Sequence, residues 1–266
     1  MKVIGIRAMV GIAATIAAAC FAGGSQAQTA TGESALDSVM KGGVLRACTP
    51  GDYKPFSFQK PDGGYEGIDI DLTTSLAAAI GAKVEFVKTT WANLLPDFAS
   101  GKCDIAVGGI SVTTDRQKRV FFSEAYMVNG KTPIVRCEDV KRFQSVADID
   151  KAGVRVIANP GGSNERFAKA NFKTATLTIH PENVTIFDEI LAKRADVFVT
   201  EAAEALTQQK LKPGLCAVNP EKPLQYGEMA YMLPRNDAVM KAFVDQWLHL
   251  AKATGDYQRV VDKWLR

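Results

Sequence analysis

Val154-Arg155-Val156-Ile157-Ala158-Asn159-Pro160-Gly161-Gly162-Ser163-Asn164 is an apolar run that breaks at Pro-Gly-Gly and resumes on a hydroxyl and an amide. The β-branched residues favour a strand, and the proline and two glycines force a sharp turn. The residues from Ser163 to about Ala170 then read as a helix. The glycines allow a ligand to approach the backbone, and a helix N-terminus offers unpaired N–H groups and partial positive charge. A carboxylate or phosphate would be stabilised at such a place. The same residues also describe a plain capped turn, with Ser163 or Asn164 as the N-cap. The turn is not a Walker loop, because the GK[ST] ending is absent.

Units of the same kind lie on both sides. Upstream, Val44–Cys48 reads as a strand, Ile70–Ile80 as a helix stopped by Gly81, Val84–Val87 as a strand, Trp91–Phe98 as a helix and Ile105–Val107 as a strand. Around the quoted segment, Pro133–Val135, Leu177–Ile179 and Val197–Val199 read as strands, and Val184–Ala192 as a helix. Strands separated by helices of this length imply parallel sheets with right-handed crossovers. Near the end, Met240, Phe243, Val244, Trp247 and Leu248 keep a helical spacing and mark an amphipathic core helix. The expected architecture is therefore α/β with two lobes, and a ligand in the cleft between them at the carboxyl ends of strands.

The 266 residues, 47% hydrophobic and 23% charged, have the balance of a globular chain rather than a disordered one. Residues 1–27 contain Lys2 and Arg7 but no acid, run apolar from Ala8 to Ala22, and end in Ser25-Gln26-Ala27. That is the pattern of a secretory signal peptide cleaved near Ala27, too short and glycine-broken for a membrane span. Lipidation of Cys20 is not expected, since Ala17-Ala18-Ala19 lacks the usual large aliphatic residue at −3. Without Lys2 and Arg7 the 32 bases fall to 30 against 29 acids. A net charge so small excludes a strong field for nucleic acid, so attraction for an anion must be local.

Export implies an oxidising compartment. Cys137 and Cys216 lie in polar surroundings at the two ends of the middle segment, and a bridge between them is the expected disulfide. Cys48 and Cys103 sit in or beside apolar runs, where buried free thiols are expected. No CxxC or cluster with His180 and His249 suggests a metal, so none is expected.

Two further segments could carry chemistry. Gly108-Gly109-Ile110-Ser111 leaves a strand end, and Arg116 just beyond could fork two hydrogen bonds to a carboxylate or remain a solvated surface arginine. Glu201 and Glu204 follow the Val197–Val199 strand, and their spacing places them on one helix face. One of them, desolvated in the cleft, would stay protonated and act as a general acid. Acids near a helix start also simply complement the macrodipole.

In order along the chain, Gly43-Val44-Leu45-Arg46, Asp52-Tyr53-Lys54-Pro55-Phe56-Ser57-Phe58, Gly67-Ile68-Asp69-Ile70-Asp71-Leu72 and Ser111-Val112-Thr113-Thr114-Asp115-Arg116-Gln117-Lys118 resemble the landmarks of periplasmic polar-amino-acid-binding proteins. Five further runs are similar to the cyclohexadienyl dehydratase family, exported enzymes built on that fold. They are Gly51–Ser57, Asn129–Ile134, Asn159–Glu165, His180–Phe187 and Asp245–His249. Cys137 and Cys216 also match cysteines of that family. The resemblance implies a type II periplasmic-binding-protein fold, with lobe one formed by residues 35–128 and 227–266 and lobe two by 129–226, joined by two crossing strands.

It also implies a cofactor-free periplasmic lyase that takes prephenate to phenylpyruvate and arogenate to phenylalanine. Glu204 aligns with the general acid, a position not typically acidic in binding proteins. Arg116 and Ser111, at the loop holding Gly109, align with a carboxylate clamp. Tyr53 and Trp91 align with aromatic walls, and Asp52 with a polar group at the cleft edge. Lys131 would bind the second carboxylate or stabilise developing charge, and Asn159, Gly162 and Ser163 would hold an anionic end. Amino-acid-binding relatives carry Asp where this chain has Glu201, so the longer side chain weighs against arogenate relative to prephenate. The partner implied is a small dicarboxylate substrate, with no nucleic acid, no stable membrane insertion, and homo-oligomerisation left open. The competing expectation is the substrate-binding protein of an amino-acid ABC transporter.

Overall fold

The computed structural model describes residues 32–266. The expected signal segment, 1–27, lies outside the described residues. Two mixed sheets carry the chain. In the first, Lys83–Lys88, Val44–Thr49, Ile105–Ala106, Met232–Leu233 and Phe121–Phe122 lie side by side in that order. The first three run parallel, and Met232–Leu233 is antiparallel to both neighbours. Period-two alternation sorts the side chains. Leu45, Ala47, Ile105 and Leu233 enter one core with the helices Ala35–Gly42, Ile68–Ile80, Ala238–Ala253 and Asp256–Leu265. Cys48, Ala106 and Met232 face the opposite way, onto Leu94 and Phe98 of the helix Leu94–Ala99. Ala238–Ala253 starts where Asp237 accepts the Met240 N–H, and it buries Met240, Val244, Trp247 and Leu248.

The second sheet orders Thr176–Ile179, Arg155–Ala158, Val197–Glu201, Met127–Arg136 and Leu215–Ala217. Its first three strands are parallel, as the β-turn-α reading requires. Met127–Arg136 does two jobs along its length. From Lys131 to Val135 it pairs antiparallel with Val197–Glu201, whereas Met127–Lys131 pairs antiparallel with Gln225–Met229. These paired strands carry the chain from one sheet to the other and back. A separate apolar core, including Ile134, Val156, Phe187 and Phe198, fills the second lobe.

Cys48 and Cys103 are not free thiols: they form a disulfide with a Cα separation of 5.7 Å. Apolar surroundings suit a half-cystine as well as a thiol. What decides is the pairing of Val44–Thr49 with Ile105–Ala106, which sets Cys48 opposite Ala106 and so beside Cys103. Cys137 is joined to Cys216, because Leu215–Ala217 pairs with the end of Met127–Arg136. Among the described residues no cluster of three potential metal ligands occurs, and no helix is long and apolar enough to cross a membrane.

Candidate functional site

The first lobe contributes an aromatic wall and a strand-exit loop. Tyr53 is buried, stacked on Phe56 with ring centroids 5.3 Å apart and set edge-on to Trp91 at 5.5 Å. Trp91 Nε1 donates to Asp52 Oδ1 at 2.9 Å, which fixes the indole. The loop after Ile105–Ala106 is braced from below. Asp69 Oδ2 accepts the N–H groups of Gly108 and Gly109, each at 2.7 Å, and the Tyr126 hydroxyl at 2.8 Å. Gly109 has φ +73, and a Cβ there would lie 2.6–2.7 Å from the Tyr53 and Phe56 rings. Only glycine lets the loop lie against that wall.

The second lobe supplies a polar chain. Lys131 Nζ, buried, donates to Glu201 Oε1 at 2.7 Å, Ser163 Oγ at 2.9 Å and Asn164 Oδ1 at 2.5 Å. Asn164 Nδ2 donates to Thr200 Oγ1 at 3.1 Å, and Thr200 Oγ1 donates to Glu204 Oε2 at 2.5 Å. Ser111 closes the chain across the cleft, donating to Glu201 Oε1 at 2.9 Å and lying 3.1 Å from Ser163 Oγ. The lobes therefore meet through hydrogen bonds between groups of opposite role.

Two local expectations change. Glu201 is the last residue of its strand rather than a helix residue, so it and Glu204 do not share a helix face. They converge because a strand end and the first turn of Ala202–Leu211 are consecutive. The N-cap of Ser163–Asn171 is Gly162, not Ser163 or Asn164, whose side chains turn to Lys131 instead. The Gly161 N–H of that turn donates to Glu165 Oε2 at 2.5 Å.

Tyr53, Trp91, Gly109, Ser111, Asn159, Gly162, Ser163, Asn164 and Asn183 line a small cavity of about 10 Å³ between the lobes, scarcely room for one water. Most of these residues come from the motifs singled out in the sequence. Arg116 lies elsewhere: it is buried, donates from Nη1 to the Ser111 carbonyl at 2.8 Å, and lines an adjoining cavity with Trp91, Lys118, Arg119 and Arg166. Asn164, Asn183 and Thr200 were missed by sequence reading. Asn164 and Asn183 stand in quoted segments, and nothing short of the fold distinguishes them from ordinary surface amides.

The electrostatics follow from dryness. Glu204 is 1% exposed, and burial pushes its carboxyl well above the usual range, against the Thr200 bond. The charges of Asp52 and Glu201 push it the same way. Burial lowers the Lys131 ammonium, opposed by Glu201. Asp52 is raised to about 6 by desolvation, opposed by its Trp91 bond. Arg116 is lowered to about 10 by burial and then by Arg166. Tyr53 Oη, Asn183 Oδ1 and Glu201 Oε2 are buried without a hydrogen-bond partner. Tyr53 and Asn183 line the small cavity and Glu201 an adjoining one, so unmet hydrogen-bonding capacity borders both, as suits a polar guest. Chemically, the arrangement offers a proton held on a carboxyl, cations for an anion, and exclusion of water.

The family model of bacterial extracellular solute-binding proteins, family 3, matches residues 45–266. The chain is 47% identical to cyclohexadienyl dehydratase of Pseudomonas aeruginosa over 94% of this chain and 92% of that one. It is 23% identical to the L-cystine-binding protein TcyJ of Escherichia coli, over 98% and 96%. Among solved structures, an ancestral amino acid-binding protein described as a precursor of cyclohexadienyl dehydratase is 35% identical, with TM-score 0.81 over 88% of this chain and all of that one. An ancestral cyclohexadienyl dehydratase is 49% identical, with TM-score 0.56 over 88% and 97%. With its paired lobes, crossing strands and cleft, the chain belongs to the bacterial extracellular solute-binding proteins, family 3, and within them to the cyclohexadienyl dehydratase group.

Proposed function

We propose that this chain is a periplasmic cyclohexadienyl dehydratase that removes water and carbon dioxide together from prephenate, leaving phenylpyruvate, and from arogenate, leaving phenylalanine. The observation that carries the reading is Glu204, a sealed carboxyl whose burial and acidic neighbours push its hold on a proton well above the usual carboxyl range. The ring hydroxyl of such a substrate leaves poorly unless protonated, while its ring carboxylate must stay ionised. Glu204 passes its proton to the hydroxyl as the C–O bond breaks and water departs. The electrons of the bond to the carboxylate enter the ring, carbon dioxide leaves, and the ring becomes aromatic. The step balances with one proton, so the chain needs an acid, anion clamps and a dry cleft.

Arg116 with Ser111 holds one carboxylate, and Lys131 with Asn159, Gly162 and Ser163 receives the other anionic end. Tyr53 and Trp91 wall the ring, and Asp52 stands at the edge. In the closed cleft Lys131 already donates to Glu201, Ser163 and Asn164, bonds that an entering anion exchanges. The closed cavity, about 10 Å³, has scarcely room for one water and is far below the ~300 Å³ at which small-molecule pockets begin, so the lobes open to load. The lobes are residues 35–128 with 227–266, and 129–226, and residues 1–27 direct export and are removed. Glu201 Oε1 is committed to Lys131, which leaves the unpartnered Oε2 as the acceptor for the ammonium of arogenate, while prephenate needs no such partner.

The test is to incubate purified protein with prephenate, without added metal or nucleotide, and record phenylpyruvate absorbance. Product formation is expected. Glu204→Gln should lose about 10²–10⁴ of the rate while still binding substrate. The wild-type rate should fall as pH rises through the raised Glu204 value, because the acid is then ionised. Full activity in that variant would remove Glu204 from the role. Tight ligand binding with no turnover by the wild type would instead support a transporter's binding protein.

A further inference from the structure

Glu204 has two carboxyl oxygens, and only one of them can carry its proton. Their surroundings are unequal. Oε2 is bonded to the Thr200 hydroxyl at 2.5 Å, whereas Oε1 has no hydrogen-bond partner among the described residues. Thr200 is the fourth residue of Val197–Glu201 and Glu204 the third of Ala202–Leu211, so the bond spans the corner where strand becomes helix. Thr200 is fully buried, and no water competes for its hydroxyl.

The direction of that bond is set from Lys131. A lysine ammonium has three hydrogens and accepts nothing. Those of Lys131 go to Glu201 Oε1, Ser163 Oγ and Asn164 Oδ1. Asn164 therefore turns its carbonyl oxygen toward Lys131 and its NH2 the other way. There both amide hydrogens find acceptors, Thr200 Oγ1 at 3.1 Å and Asn159 Oδ1 at 3.4 Å. A flipped amide would set NH2 against an ammonium. Thr200 Oγ1 thus accepts from Asn164, and its own single hydrogen has to go elsewhere. Tyr53 Oη, also near Thr200, is left without a hydrogen bond, and Glu204 Oε2 is the acceptor that Thr200 meets. Every link donates in one sense, from the cation to the carboxyl.

We propose that Thr200 and Asn164 are positioning residues that fix which oxygen of Glu204 carries the proton used in the reaction. The inference deepens the dehydratase reading and rests on it. Oε2, holding the Thr200 hydrogen, is the C=O oxygen of the acid. Oε1 carries the proton, with no bond to restrain it from the substrate hydroxyl. As the C–O bond breaks, the proton moves from Oε1 to the departing water. The charge left on the carboxylate is shared with Oε2, where the Thr200 donor meets it. A hydrogen bond to an ionised acceptor is stronger than one to a neutral acceptor, so the Thr200 bond tightens during transfer and favours it. The same bond draws the Glu204 carboxyl down against its burial. Asp52 and Glu201, which raise it, and Lys131, which lowers it, are the other charges acting there, and a Thr200 substitution alters none of them.

The test compares Thr200→Val, which keeps the shape and removes the donor, with Thr200→Ser, which keeps the donor. With prephenate, Thr200→Val should lose at least about tenfold in kcat with KM nearly unchanged, while the alkaline limb of its rate profile moves to higher pH. Thr200→Ser should restore both. Thr200→Ala, which also lacks the hydroxyl, covers the case in which Thr200→Val does not fold. Infrared difference spectra between neutral and alkaline pH read the carboxyl without substrate, the Glu204 C=O band being the one lost in Glu204→Gln. That band should move to higher frequency in Thr200→Val, because the C=O loses its donor. An unmoved band would put the proton on Oε2 and overturn the proposal. So would a loss of kcat with the alkaline limb unmoved, a rise in KM alone, or no change in rate. Absence of phenylpyruvate from the wild type would fail the dehydratase reading itself, and the infrared band would still report which oxygen holds the proton.

Discussion

Burial by itself raises a carboxyl's affinity for its proton, so a buried aspartate reports how much its neighbours repay. Asp196 is repaid in full. Arg155 forks onto it at 2.6 and 3.0 Å, the Arg155 N–H donates at 3.0 Å, and Arg136 adds a contact at 3.2 Å, holding it down at about 2. Its stabilisation is complete above the unfolded value near 4 and is lost as pH falls through about 2. Asp69 lies at the other extreme. Its Oδ2 takes three donors, but its Oδ1 is buried without a partner, and no cation stands by; its carboxyl rises to about 6. Its folded value exceeds the unfolded one, so the stability it contributes is present below pH ~4 and is lost as pH rises toward 6. A two-unit shift corresponds to about 3 kcal/mol at neutral pH. Asp69→Asn keeps an acceptor for Gly108, Gly109 and Tyr126 and removes the charge. We expect urea unfolding to give nearly equal stabilities for wild type and variant at pH 3.5, with the variant gaining about 1 kcal/mol by pH 4.5 and up to about 3 kcal/mol at pH 7.5. A wild type as pH-independent as the variant over that range would contradict the assignment.

Strands and helices were legible where local pattern decides them. The Val154–Ala158 run and its Pro-Gly-Gly stop give the strand Arg155–Ala158 and the helix Ser163–Asn171, and the stripe from Met240 to Leu248 is buried as its spacing requires. The motifs that flank those elements also meet: Tyr53, Trp91, Gly109, Ser111, Asn159, Gly162 and Ser163 share one cavity. What could not be read is whatever depends on register between distant segments. The Cys48–Cys103 bridge needs Val44–Thr49 beside Ile105–Ala106, and the bonds of Asn164 to Lys131 and Thr200 need three elements aligned at once. No periodicity in one segment contains that information. The two disulfides should consequently behave differently. Cys48 and Cys103 are sealed in a core, whereas Cys137 is exposed and Cys216 half-buried at the sheet edge. Treating native protein with a mild reductant and trapping thiols should label Cys137 and Cys216 first, and Cys48 and Cys103 only on unfolding. Mass spectrometry showing all four labelled together in native protein would refute this. In the chain-entropy model, with loops of 55 and 79 residues, loss of either bridge costs about 4 kcal/mol.

At the scale of the whole molecule the site exists only when the lobes are together, and the contact that limits their approach is backbone against backbone. Gly161, at φ +82 in the second lobe's turn, faces Ala92 of the first; a Cβ on Gly161 would lie 2.6 Å from the Ala92 N, Cα and Cβ. Main-chain atoms cannot turn aside as a side chain could, so Gly161→Ala must hold the lobes apart at this point. The substitution also brings a left-handed alanine, worth about 1–2 kcal/mol of strain that has nothing to do with closure. Gly153 separates the two effects. It has φ +85, and a Cβ there would meet nothing within 4 Å. Both alanine variants should therefore lose about 1–2 kcal/mol in urea unfolding. Only Gly161→Ala should also shift the closed form seen by small-angle scattering with a bound dicarboxylate toward a larger radius of gyration. Turnover should fall in Gly161→Ala and stay near wild type in Gly153→Ala, since incomplete closure admits water to Glu204 and parts Ser111 from Glu201 and Ser163. Equal turnover in the two variants would mean that the Gly161–Ala92 contact does not control closure, and that some other part of the interface sets how near the lobes come.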